Sequence, residues 1–154
     1  MRLALFQPDI PQNVGAAVRL AACLGVILEI IEPCGFPLSD RALKRAALDY
    51  GDQARVERRP GWADFLAANE RKQGRLVLFT TRGAQPYTDF AFQGGDTLLF
   101  GRESAGVPDE VHAAADARLL IPIMPETRSL NLVAAAAIAL GEALRQTGGF
   151  SQGL

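Results

Sequence analysis

The sequence predicts an α/β domain in which a mostly parallel sheet is covered by helices on both faces. Short apolar segments alternate with helix-like segments along the 154 residues, and this alternation is typical of parallel sheets. Residues 26–31 are rich in β-branched side chains, which indicates a central strand buried on both faces. Residues 132–140 are nearly all small and apolar, which predicts a helix buried on every side.

Turn and capping residues divide the first half of the chain into elements. Apolar runs predict strands, and Ser, Asn and Gly mark where helices begin and end. The elements in order are a strand at 3–6, a helix capped by Asn13 and ended by Gly25, the strand at 26–31, a helix capped by Ser39 and ended by Gly51, a short strand at 54–57 and a helix at 62–70.

The second half continues the alternation. The predicted elements are a strand at 75–80, a strand at 97–100, a short helix after Pro108, a strand at 118–121 and the alanine-rich helix. Ser129 or Asn131 would cap that last helix, because either side chain can accept from the free N–H groups of its first turn. We expect residues 1–154 to form one domain, with residues 147–154 as a flexible tail.

The charge distribution is more informative than the net charge of -1. Residues 1–82 hold 12 Lys/Arg against 9 Asp/Glu, and residues 83–154 hold 4 against 8. Basic clusters are usually solvated faces, but on one side of a molecule they attract phosphate.

Several classes of protein are excluded by composition. Two cysteines and one histidine are too few and too scattered for a zinc site or a disulfide framework, so we expect no metal. The N-terminal residues do not have the pattern of a signal peptide. The longest apolar run is far shorter than the ~20 residues that span a bilayer. We therefore expect a soluble, cytoplasmic protein.

Four loops with unusual chemistry follow predicted strands. They are PDIPQNVG at 8–15, FTTRG at 79–83, LLFGRESAGVP at 98–108 and IPIMPETRSLNL at 121–132. Ligands bind at the carboxyl ends of the strands in a parallel sheet. The residues alone therefore predict an α/β domain with a ligand site built from loops.

Two nucleotide-binding patterns are disfavoured. The first turn lacks G-x-G-x-x-G, although Glu29 or Glu32 could imitate the carboxylate that reads a ribose in such sites. Gly101 and Gly106 match the outer spacing of a phosphate loop, but Val107 stands where that loop needs its lysine. As plain turn formers, the two glycines would need no ligand at all.

Individual polar residues leave alternatives open. Arg19, among alanines and leucines, either snorkels or faces an anion, and it lies six residues from Asn13, so the two do not strictly share a helix face. Glu103 could orient a basic partner or a sugar hydroxyl, or be an exposed loop acid. The small residues at 134–137 suit either core packing or a subunit interface.

Three ordered motifs carry a family resemblance: IPQNVGAAVRLAACLG, LLFGRESAGVP and IPIMPETRSLNLVAAAAIALGEAL. Together they resemble the motifs of the SPOUT-class RNA 2′-O-ribose methyltransferases of the SpoU branch. IIEPCGF and RAALDYGD are similar to the small single-domain subgroup that methylates the wobble ribose of certain tRNAs. The likeness covers essentially the whole chain.

The resemblance implies a C-terminal segment threaded into a deep trefoil knot, which pattern reasoning alone excludes by default. It also implies S-adenosylmethionine as methyl donor, leaving S-adenosylhomocysteine as product. The residues that would hold the donor, largely through backbone groups, are Phe79, Thr80, Gly101, Ile121, Met124, Ser129 and Leu130.

The implied catalytic set centres on Arg19, with Asn13, Glu103, Ser129 and Asn131 as companions. We expect the guanidinium to lie beside the donor in the cleft formed by the loops. Arginine is an awkward base because its pKa exceeds about 12. Arg19 would either be deprotonated transiently or stay charged and stabilise the developing alkoxide.

The resemblance further implies a homodimer that binds tRNA and methylates cytidine or a modified uridine at the wobble position. Gly141 departs from relatives in which a bulkier aromatic stands, which could alter dimer packing. Two alternatives remain: another tRNA or rRNA target, and an RNA-binding module without catalysis. The expected RNA contacts are Arg41, Lys44, Arg45, Arg55 and Arg58.

Overall fold

The computed structural model describes residues 1–47, 50, 53–68, 73–83 and 85–151. Within those residues, seven parallel strands form one sheet in the order β3-β2-β1-β6-β4-β7-β5. The strands are β1 (Arg2–Phe6), β2 (Ile27–Ile31), β3 (Val56–Arg59), β4 (Leu76–Phe79), β5 (Gln85–Pro86), β6 (Thr97–Phe100) and β7 (Ala117–Leu120). The predicted bounds of β6 are correct, and β3 begins and ends two residues later than predicted.

Helices cover both faces of the sheet, which confirms the predicted fold class. The helices are α1 (Pro11–Leu24), α2 (Asp40–Ala47), α3 (Trp62–Ala67), α4 (Asp109–Ala114) and α5 (Leu132–Thr147). The side chains of α1, α2 and α5 pack over one face, where they bury Leu28 and Leu98. Those of α3 and α4 pack over the other, where Phe65 and Val111 meet Leu78.

The start of α1 corrects one prediction. Asn13 does not cap this helix, because α1 begins at Pro11 and no side chain caps it. Proline suits the first helical position, where its missing N–H is not needed. This leaves the Asn13 side chain free for a long-range contact. Gly25 ends α1 with φ of 66°, as predicted.

Capping of α2 follows the prediction, since Ser39 Oγ accepts a hydrogen bond of 3.1 Å from the Ala42 N–H. The predicted ends of α2 and α3, at Gly51 and Glu70, lie outside the described residues.

Asn131 is the cap of α5. Its Oδ1 accepts from the N–H groups of Val133 at 2.9 Å and Ala134 at 3.2 Å. Helix α5 continues through Thr147 and ends at Gly148, which has φ of 63°. The flexible tail at 147–154 stays a prediction, and its last residues, 152–154, lie outside the described part of the chain.

The expectation that α5 is buried on every side is wrong. Ala136, Leu140 and Leu144 face the sheet, but Ile138 is 39% exposed and Ala134 is exposed as well. The sheet and α1 cover only one side of the helix, so an apolar strip of α5 faces outward.

Strand β2 carries a buried charge that its apolar pattern does not indicate. Glu29 is 0% exposed, and its Oε1 accepts from Arg59 Nε at 2.8 Å and Nη2 at 2.7 Å. The guanidinium of Arg2 lies 3.4 Å from the other oxygen. Glu32 pairs with Arg58 instead. Neither acid is available to read a ribose.

Among the residues that the structure describes, no helix combines the length and apolar character needed to cross a lipid bilayer. The same residues contain no cluster of three or more histidine, cysteine or acidic side chains that could bind a metal ion. The trefoil knot concerns the path of the chain rather than the order of its strands, and it stays a prediction.

Candidate active site

A cavity of about 490 Å³ opens at the carboxyl ends of β4, β6 and β7, beside the turn after β1. All four of the predicted loops contribute to its wall. Of the predicted residues, those that line it are Asn13, Phe79, Thr80, Gly101, Glu103, Ile121, Ser129, Leu130 and Asn131. The volume falls within the range of about 300–1,000 Å³ that is usual for small-molecule sites.

A chain of hydrogen bonds joins three of these side chains. Asn131 Nδ2 donates to Asn13 Oδ1 at 3.1 Å, and Asn13 Nδ2 donates to Glu103 Oε1 at 2.8 Å. The direction is fixed because the other amide atom of Asn131, its Oδ1, already accepts from the first turn of α5. Asn13 is only 8% exposed, so this chain holds the wall of the cavity in one arrangement.

Glu103 is held through both of its oxygens. Oε2 accepts a 2.8 Å hydrogen bond from the backbone N–H of Asp9, while Oε1 accepts from Asn13. Both donors precede or begin α1. The sequence left open whether Glu103 is an exposed loop acid, and the structure places it half-buried at the cavity wall.

The loop after β6 folds tightly back on itself. Arg102 and Gly106 exchange backbone hydrogen bonds of 3.1 and 2.9 Å, and Gly106 has φ of 67°. A Cβ on Gly101 would lie 2.6 Å from the carbonyl carbon of Gly106. Because two N–H groups of this loop are used within it, they are unavailable to phosphates. The glycines serve close approach and a left-handed turn rather than a phosphate loop.

Two aromatic residues, Phe79 and Phe100, line the cavity at the ends of β4 and β6. The Phe79 ring stacks on Phe100 with centroids 5.0 Å apart and planes 10° apart. The N–H of Thr80 donates to the Leu119 carbonyl at 2.9 Å, which fixes the end of β4 against β7. Phe79 also stacks on Phe92 with planes 2° apart. Phe79 and Phe100 are 7% and 3% exposed, so their rings support the cavity from within the core.

Arg19 does not lie where we expected it. It is exposed on α1, its guanidinium carbon lies 5.8 Å from the centre of the Tyr50 ring, and it does not line the cavity. Arg19 follows Asn13 by six positions in α1, so their side chains point in directions roughly 120° apart around the helix axis. Since Asn13 points into the cavity, Arg19 points away from it. The predicted loops converge on one cavity, but Arg19 of the same chain does not line it. The assignment of Arg19 to the site stays a prediction.

Met124 is the other predicted ligand residue outside the cavity wall. Its side chain is 68% exposed, and the neighbouring Ile123 lines the cavity instead. Lining residues that the sequence reasoning missed are Ile10, Thr81, Phe100, Arg102, Gly106, Val107, Leu120, Ile123, Arg128, Leu132 and Ala135. Most are apolar neighbours of predicted residues, and nothing in their own pattern distinguishes them from core or loop positions.

The predicted RNA-binding cations fall into two groups. Arg41, Lys44, Arg45 and Arg55 are exposed, and none has an acidic group within 4.0 Å among the described residues. Arg58 is different: it contacts Glu32 and Asp40, both at 2.8 Å, and these hydrogen bonds raise its pKa. A guanidinium already paired with two carboxylates is a weak phosphate ligand.

Known proteins resemble this chain over nearly its whole length. Residues 1–141 match the model of the SpoU rRNA Methylase family. A tRNA (cytidine(34)-2'-O)-methyltransferase of Beijerinckia indica subsp. indica is 57% identical over 150 residues, which cover 97% of this chain and 94% of that protein.

Two solved structures share the fold. One, described as "Structural insights into the 2-OH methylation of C/U34 on tRNA", has a TM-score of 0.85 and 44% identity, and covers 94% of each chain. The other is the SpoU methyltransferase AviRb from Streptomyces viridochromogenes in complex with the cofactor AdoMet. It has a TM-score of 0.83 and 26% identity, and the match covers 95% of this chain and 60% of that one.

The close approach at Gly101 gives a stability prediction. Gly101→Ala should lower the free energy of unfolding by roughly 1–3 kcal/mol, because the new methyl group meets backbone that cannot yield easily. Gly94→Ala is the matched control, since a Cβ at that exposed turn meets nothing within 4 Å. Urea denaturation of both variants measures the difference. Equal stability of the two would contradict this account of the loop.

Proposed function

The chain belongs to the SpoU rRNA Methylase family, and on that premise we propose that it transfers a methyl group from S-adenosylmethionine to the ribose 2′-hydroxyl of nucleotide 34 of tRNA. The full-length likeness to the Beijerinckia enzyme carries the choice of substrate. The solved relative concerned with C/U34 extends the proposal to cytidine or uridine at that position. We also propose a cytoplasmic location, because the substrate is tRNA.

The donor would occupy the cavity at the carboxyl ends of the strands. S-adenosylmethionine, when bound, supplies an electrophilic methyl group on its sulfonium sulfur. Phe79 and Phe100 line the cavity at the ends of β4 and β6, and the segment 121–131 contributes further lining residues. The residues proposed to hold the donor are Phe79, Thr80, Gly101, Ile121, Ser129 and Leu130. Met124 is left out of this set because it does not line the cavity.

The ribose hydroxyl must lose its proton as its oxygen attacks the methyl group. Glu103 is held at both oxygens by Asn13 and by the Asp9 N–H, so it serves best as a fixed negative group that orients a cation or a sugar hydroxyl. Arg19 stays charged under this proposal and stabilises the developing alkoxide, while the hydroxyl proton leaves through the adjacent RNA phosphate or through water. The bond from the ribose oxygen to the methyl group forms as the bond from that methyl group to sulfur breaks, which leaves S-adenosylhomocysteine. Ser129 and Asn131 position donor and ribose from the loop before α5.

We propose that Arg19 acts in the cavity of a partner subunit. Helices α1 and α5 pack side by side, and their outward faces carry Arg19 with Ala16 on α1 and Ile138 with Ala134 on α5. A two-fold dimer would bury these apolar residues and repeat the contact on both subunits. Because Arg19 lies on this outward face, the same pairing would bring each Arg19 toward the partner subunit.

The rim of the cavity supports such a dimer. Ile10 is 41% exposed and Leu130 is 40% exposed, and both sit where α1 and α5 begin. Gly141 lies on the same side of α5 as Ile138, and a Cβ there would meet nothing within 4 Å. Within one subunit there is therefore room for a larger side chain at this position.

The unpaired cations of α2 and Arg55 would bind the tRNA backbone. Their charges are not neutralised by neighbouring acids among the described residues, so phosphates can replace their counterions. Arg58 is left out of this surface because Glu32 and Asp40 already pair with it. A dimer would double the cationic surface.

Methyl transfer is the direct test of this function. Purified protein incubated with tRNA and methyl-labelled S-adenosylmethionine should label the 2′-oxygen of nucleotide 34, as read by mass spectrometry of nuclease fragments. The same tRNA with a 2′-deoxy nucleotide at position 34 is the control, since it lacks the attacking oxygen. Label at another nucleotide, or on the deoxy control, would reject the proposed substrate.

Mixed dimers test where Arg19 acts. Arg19→Ala and Glu103→Gln should each abolish most activity alone. If each site combines Glu103 of one subunit with Arg19 of the other, co-refolding equal amounts should restore about a quarter of wild-type activity, because half of the dimers are mixed and each has one intact site. If Arg19 serves its own subunit, no mixed site is intact and no activity returns. Refolding each variant alone is the control.

Salt dependence tests the RNA surface. Arg45→Gln should weaken tRNA binding several-fold and reduce the slope of log affinity against log salt by about 1, because one phosphate contact is lost. Arg145→Gln is the matched control, since Arg145 is already paired with Glu142. Donor affinity, measured by calorimetry, should not change in either variant. An equal effect of the two substitutions would place the RNA surface elsewhere.

A further inference from the structure

Asp9 connects the turn after β1 to the loop after β6. Its backbone N–H donates to Glu103 Oε2 at 2.8 Å. In return, its carboxylate oxygen Oδ2 accepts from the Ser104 backbone N–H at 3.1 Å and from the Ser104 hydroxyl through a short hydrogen bond. One residue therefore binds both the Glu103 side chain and the residue that follows it.

A third loop supports Asp9 from behind. Gly35, in the turn after β2, donates its N–H to the Pro8 carbonyl at 3.0 Å. A Cβ on Gly35 would lie 2.8 Å from Asp9 Oδ1 and 3.0 Å from Asp9 Cα. The turn after β2 thus packs directly on Asp9 and leaves no room for a side chain between them.

These contacts fix Glu103 more strongly than its place in an exposed loop suggests. Its two oxygens take donors from one short segment, the Asp9 N–H and the Asn13 amide. The Asp9 carboxylate then anchors the backbone at Ser104, so the loop cannot slide relative to that segment. Asp9 itself does not line the cavity, so any effect it has on the reaction passes through Glu103.

We propose that Asp9 is a positioning residue for methyl transfer, acting by clamping the loop that carries Glu103. This rests on the proposed function for its effect on rate, but the clamp itself is a property of the fold. Hydrogen bonds from Ser104 lower the pKa of the Asp9 carboxyl. A lowered pKa means that the clamp is present above the ordinary carboxyl range and is lost only in acid. Asp9 therefore stays ionised throughout the neutral range.

Removing the clamp should slow the reaction without weakening the donor site. Asp9→Ala keeps the N–H that reaches Glu103 but loses both contacts to Ser104, and we expect kcat to fall about tenfold with KM for the donor within about twofold. Asp9→Asn retains an acceptor oxygen and should recover most of the rate. Gly35→Ala should lower kcat in the same way, because its new Cβ would collide with Asp9 and displace it from Ser104. An unchanged kcat in folded Asp9→Ala would overturn the proposal.

A double substitution separates positioning from general support of the fold. If Asp9 acts through Glu103, adding Asp9→Ala to the Glu103→Gln variant should lower kcat by less than about twofold. The effect is small because the group that Asp9 positions is already altered. A second full loss of about tenfold would mean that Asp9 acts by another route, and would overturn the proposal.

Hydrogen–deuterium exchange tests the clamp independently of activity. The Ser104 amide should exchange faster in Asp9→Ala than in wild type, while the amides of β6 keep their protection. Unchanged protection of Ser104 would overturn the clamp even if the enzyme is active. A different outcome is that the wild-type protein transfers no methyl group while the Ser104 amide exchanges faster in Asp9→Ala. That outcome would reject the proposed function and support the clamp. If Asp9→Ala fails to fold, Gly35→Ala provides the same readout, because its new Cβ would displace the Asp9 carboxylate that accepts from the Ser104 amide.

Discussion

The hydrogen bond between Asn13 and Glu103 is the contact on which the rest of the site depends. It joins residues 90 positions apart, and the bond from Asn131 to Asn13 spans 118 positions. The sheet makes this possible because β1 lies directly beside β6 and runs parallel to it, so the two turns that follow them meet at one edge. Each polar group has a defined partner, and partly satisfied buried networks are costly. The cavity therefore has one wall geometry before any ligand enters.

Prediction of structure from the sequence is most reliable where contacts between residues a few positions apart determine the structure. Ser39 and Asn131 cap helices because their side chains reach N–H groups only two or three residues away, and that spacing is visible in the sequence. Asn13 looks like a cap for the same reason, yet its partner is Glu103. A capping pattern cannot anticipate a stronger partner from a distant loop. The same limit hides Asp9, whose importance comes entirely from Ser104 and Glu103.

The position of Arg19 shows a second limit. The family resemblance implied that Arg19 belongs to the site, but the resemblance does not show where the fold of one chain places its side chain. Helix geometry turns Arg19 away from Asn13 and toward Tyr50. Likewise, the basic excess of the first half does not distinguish Arg45 from Arg58, although one is unpaired among the described residues and the other contacts two carboxylates. Whether a cation can bind phosphate depends on whether a carboxylate already pairs with it, and a count of charges in the sequence does not show this.

The double use of Asn131 has a consequence for biosynthesis. Its side chain caps α5 and also completes the chain of hydrogen bonds to Asn13 and Glu103. A nascent chain still on the ribosome can form β1 and α1 early, because domains begin to fold during synthesis. It cannot assemble the cavity wall until the segment that forms α5 has left the exit tunnel. Maturation of the site is therefore coupled to the emergence of α5 from the ribosome.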